Sequence, residues 1–93
     1  MESNHFENAK SILGDAVREL VTHHGRIRER LAQAEQKLFR LNDNHEILNS
    51  LYIENRQEVI NIQKKLANTN MSEDHASELA REIWDIHTVL RSQ

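Results

Sequence analysis

The 93-residue chain carries a net charge of −3 and contains no cysteine, no proline and only two glycines, Gly14 and Gly25. Disulfide staples, thiolate chemistry and sulfur-ligated zinc are therefore excluded, and strand-and-turn punctuation is missing, which points to an all-α fold in one domain, 1–93. Apolar residues make up 38% and only four are aromatic, so the expected core is aliphatic and modest.

Asn4 followed by Glu7 is a cap-like pair, a side-chain acceptor with a carboxylate three residues on, and the first helix is expected to begin there. Phe6, Ala9, Leu13, Val17 and Leu20 form its apolar stripe. From Leu13 to Leu66, alternating steps of three and four residues land on sixteen positions, of which only His24, His45 and Asn55 are polar. That is a heptad seam. It keeps phase from Leu20 to Ile27, so Gly25 reads as a weak spot inside one helix of about 4–41. The alternative is a true break there, giving four helices of similar length.

Asn42, Asp43, Asn44 and His45 are four poor helix formers in a row and mark the best candidate turn. A second helix of about 45–67 follows. Its apolar residues cover more than one stripe, as in a helix with neighbours on two sides. The seam also keeps phase from Leu41 to Leu48, so the competing arrangement is one continuous rod from Asn4 to Ala67, about 95 Å long. The hairpin is preferred, because four weak formers are hard to place in mid-helix.

Residues 68–72, Asn-Thr-Asn-Met-Ser, are the clearest break. Either Asn70 or Ser72 can cap a third helix of about 72–91, whose stripe is Ala76, Leu79, Ile83, Ile86 and Leu90. Glu73 and Asp74 at its start and Arg91 at its end suit the helix dipole. The expected architecture is an antiparallel helical hairpin or three-helix bundle with a coiled-coil seam. In it the first turns of the long first helix overhang the bundle. A bare apolar stripe is avoided on monomers, so a homodimer is expected, with Phe6, Leu13, Val17, Leu20, Ile27, Leu31 and Leu38 as the self-association seam. Arg30 and Glu35 have the spacing of an interchain pair in a parallel dimer.

Among candidate chemical sites, the six histidines show no His-x-x-x-His or Glu-x-x-His spacing inside an expected helix, so no metal site is expected. His24 and His45 fall on the seam, where protonation would set charge against an apolar interface, and are candidates for a pH-sensitive seam. Residues 26–40 hold five basic groups against two acidic ones, in an otherwise acidic chain. Arg26, Arg28 and Arg30 could touch phosphate or a partner, but pairing with acidic residues of the last helix is the plainer expectation. Trp84 lies beside the stripe of the third helix. The core is its expected place and a partner anchor its alternative role.

No nucleophile–base pair, phosphate-cradling loop or paired-carboxylate pocket can be picked out, so no enzyme activity, catalytic residue or cofactor is expected. The N-terminus lacks the basic start and apolar run of a signal peptide, and no apolar run is long enough to span a membrane. The sequence therefore suggests a cytoplasmic, non-enzymatic helical protein-interaction module of the adaptor, chaperone or inhibitor kind, self-associating and binding another protein. The alternative is a small dimeric nucleic-acid-associated regulator using residues 26–40.

Overall fold

A computed structural model of the chain describes residues 4–22, 25–43, 45–68 and 70–93. Among these, every regular element is helical. They are α1 (His5–Thr22), α2 (Ile27–Leu38), a 3-10 turn (Phe39–Asn42), α3 (His45–Asn49), α4 (Ile53–Leu66) and α5 (Glu73–Arg91).

The expected first helix, 4–41, is two helices. Gly25 takes a φ of +149°, a region L side chains avoid, and Arg26 behind it is extended. The break that the heptad phase argued against is therefore present. Phase survives because α1 and α2 turn their stripes to one common core from opposite sides of the turn. Arg30 closes the end of α1 by donating from Nη1 to the Leu20 carbonyl at 3.1 Å, satisfying one of the acceptors that a helix terminus exposes.

The expected second helix, 45–67, is also divided. After α3, the Ser50 hydroxyl donates to the Ile47 carbonyl at 2.6 Å, competing with the helical pattern. Arg56 Nη2 then donates to the carbonyls of Asn49 and Leu51, both at 3.1 Å, and so caps α3 from the first turns of α4. The third helix starts where Ser72 caps it, its hydroxyl accepting from the His75 N–H at 3.1 Å.

The long helices run up, down, up and down. Arg40 meets Asp15 at 3.1 Å and His5 meets Glu46 at 2.5 Å, so α2 and α3 return along α1. Lys65 meets Glu82 at 3.1 Å across the antiparallel pair α4 and α5. Arg28 meets Glu73 at 3.6 Å, placing the starts of α2 and α5 at the same end. Among the described residues α2 packs against α5, whereas α1 and α4 do not meet. The section is thus a rhombus with α2 and α5 across its short diagonal.

The molecule measures 43 × 23 × 23 Å, which excludes a rod of about 95 Å. Inside one copy, Leu13, Val17, Leu20, Leu31 and Leu38 are buried, and Phe6 and Ile27 pack against them partly buried. The start of α1 meets α3 through His5 and Glu46, and Ala9, Ile12 and Leu13 are buried, so the expected overhang is absent. The geometric reason for covering this stripe with a second copy goes with it. Every stripe residue of α5, from Ala76 to Leu90, is fully buried.

Candidate interaction surfaces

The side chains expected to carry function divide into those the bundle consumes and those it leaves outside. The seam leucines and Val17 are consumed. So is most of the basic segment: Arg28 donates to the Met71 carbonyl at 3.4 Å besides meeting Glu73, Arg30 caps α1, and Arg40 pairs with Asp15. The pairing of Arg28 with an acidic residue of the last helix is the plainer expectation for that cluster. Arg26, the residue before α2, stays exposed.

His45 is exposed at the start of α3, not set against an apolar interface, so its place in a pH-sensitive seam is corrected. His24 lies outside the described residues. Asn55 is buried, as its seam position requires, at the inner face of α4. Among the described residues no three His, Asp or Glu side chains converge on a point that could hold a metal ion.

Trp84 reverses the expectation of a core place. It is 49% exposed, on the flank of α5 beside the buried stripe. Its ring meets the edge of His87 with centroids 6.4 Å apart and planes at 62°. His87 in turn packs onto α1 at Gly14, where the missing side chain leaves room: a Cβ there would lie 3.5 Å from the imidazole Cε1. Desolvation first, and the Arg91 charge second, hold His87 below the ordinary histidine value of 6.5. Its Nδ1 is buried without a hydrogen-bond partner. The signal for this pair was present in the sequence as the i, i+3 spacing of Trp84 and His87 on one side of the stripe.

Two clefts flank the other helix pairs. One, of ≈ 180 Å³, lies between α2 and the α4–α5 connection and is lined by Leu31, Leu66 and Met71 with Arg28 and Glu35 at its rim. Burial raises the Glu35 carboxyl above 4.5, and no cation pairs with it among the described residues. The other, of ≈ 400 Å³, runs between α4 and α5 over Ile62 and Val89, with Glu58, Glu82 and Asp85 around it. Lys65 neutralises Glu82 there, while Glu58 and Asp85 have no cationic partner among the described residues. Tyr52, Ile53, Phe39 and Val21 complete the large apolar groups left outside. Comparison with protein-family models, with curated proteins and with solved structures yields no match for this chain.

Proposed function

We propose that the protein is a non-enzymatic helical interaction module that binds other proteins through the outer faces of its bundle. One observation carries this: Trp84, the largest side chain in the sequence, is left half outside while the heptad seam is spent on the core. Tryptophan at a surface is costly to leave wet and is enriched among residues that anchor partners. The ring rests on His87 and is pre-positioned, which reduces the entropy lost on binding. An adaptor, chaperone or inhibitor role belongs to the same proposal, and a cysteine-free sequence suits a cytoplasmic setting. In this reading any self-association uses the outer faces, because the seam is inside.

The experiment is affinity capture with the wild-type chain and with Trp84→Ala, followed by direct binding of the captured protein. Loss of binding by about tenfold or more in Trp84→Ala, with helical content unchanged, is expected for an anchor residue. Equal binding by both chains would refute the role of Trp84.

The alternative, a nucleic-acid-associated regulator using residues 26–40, has less to draw on. Arg28, Arg30 and Arg40 already serve contacts inside the molecule. Reversing their charge would damage the bundle as well as any phosphate contact. Arg26→Glu with Lys37→Glu is the cleaner test, and a salt-sensitive gel shift abolished by that pair would favour the alternative.

A further inference from the structure

The two flanks of α5 carry opposite charge. On the α1 side, Gly14 meets His87, so the stripe of α1 containing Arg18 runs beside the stripe of α5 containing Trp84 and Arg91. On that stripe of α1 Glu7 is paired with Lys10 at 3.2 Å, whereas neither Arg18 nor Arg91 has a carboxylate partner among the described residues, and both are exposed. On the α4 side lies the ≈ 400 Å³ cleft with an apolar floor of Ile62 and Val89 and the unpaired carboxylates of Glu58 and Asp85. Trp84 and Val89 stand about 140° apart around the helix at 100° per residue. One copy therefore cannot bring its own tryptophan to its own cleft.

We propose that a second copy of this chain occupies the α4–α5 cleft, docking Trp84 onto Ile62 and Val89 while its Arg18 and Arg91 face Glu58 and Asp85. This deepens the interaction-module reading and rests on it, naming the partner and the surface. Charge complementarity selects the occupant: a cationic rim around an aromatic knob matches an anionic rim around an apolar hollow. The indole N–H also has carboxylate acceptors at that rim. The contact proposed is heterologous, each copy giving its tryptophan to one neighbour and its cleft to another. Each copy joined by its tryptophan still offers a free cleft, and association continues head to tail.

The test is sedimentation velocity of the full chain over a range of concentration at low and high salt. Mass that grows past two copies with concentration, and falls with salt, is expected. Trp84→Ala and the double variant Glu58→Lys, Asp85→Lys should each weaken association by about tenfold or more, as removal of an anchor or of its charged rim does. All these side chains are exposed, and helical content confirms that both variants fold. Mixing the two restores one good junction and caps both ends, so a species of two copies should form that neither variant makes alone. A wild-type chain that stays single, a mass that stops at two copies, or a mixture that stays single would each overturn the proposal. If a different protein is still captured through Trp84 in those cases, the head-to-tail contact fails and the broader reading stands.

Discussion

Single residues set the local backbone of these helices, and the two glycines show how. Gly25 holds a φ of +149°, and a Cβ there would collide with the Glu29 carboxylate. Gly25→Ala should destabilise the chain by about 1 kcal/mol or more, read as a lower melting temperature. Gly14 sits inside α1 with ordinary van der Waals room beside His87. Gly14→Ala should be neutral or stabilise by up to about 1 kcal/mol, because alanine is the better helix former. The opposite signs of these two substitutions check the local geometry directly.

Two titrating groups add pH dependence with opposite sign. Folded His87 titrates below 6.5, so as pH falls the unfolded chain takes the proton first. This part of the stability is intact above about pH 6.5 and is lost as pH drops through the folded value. His87→Gln should flatten that limb of a melting-temperature profile. The Glu35 carboxyl titrates above 4.5, so the folded chain holds its proton more tightly than the unfolded chain does. Stability then declines as pH rises through that range, and Glu35→Gln should melt higher than wild type at neutral pH. The gap should close in acid, where both side chains are uncharged.

Elements depend on the arginines that close them. Arg30 reaches back across the turn to the Leu20 carbonyl near the end of α1, and its Nε is buried. Arg30→Met keeps the aliphatic stem and removes the donor. It should cost about 1–3 kcal/mol in denaturant unfolding, the range for a charged hydrogen bond to a backbone acceptor. Arg26→Met, one turn away and exposed, should cost little.

This scale also separates what the sequence makes legible from what it hides. The third helix is legible almost to the residue, because Ser72 caps it and its stripe has no interruption. The break at Gly25 was hidden by unbroken heptad phase. Phase records which face of each segment is buried, and two helices packed on one core can keep it across a turn. The division at 50–52 breaks the phase instead: the seam position there is Tyr52, which is exposed, while Leu51 beside it is buried although no helix runs through it. Trp84 departs from its expected core place because its angle on the helix wheel lies at the border of the stripe. Whether that border is covered depends on how far α1 extends across it, which is a tertiary fact.

For the whole molecule, the stripe of α1 and α2 is internal. Leu13, Leu31 and Leu38 lie in one buried cluster with the stripe of α5 inside one chain, so the stripe that implied a partner is the core itself. Ile83→Ala or Ile86→Ala should each cost about 2–5 kcal/mol, since both are fully buried and leave a cavity. In the Trp84→Ala background, where the surface contact is removed, the loss should be the same at every protein concentration. A core shared between two chains would make the midpoint rise with concentration even there.

The rhombic section has a consequence for how the chain comes apart. Among the described residues α1 and α4 do not pack on each other and α4 is held by α2, α3 and α5, so the fold has one peripheral strut bound to a broader slab. Amide protons of α4 should exchange with solvent earlier than those of α1, through an opening in which the slab stays shut. A short linker tying Ile53 to the end of α5 would close that door without changing a single core side chain.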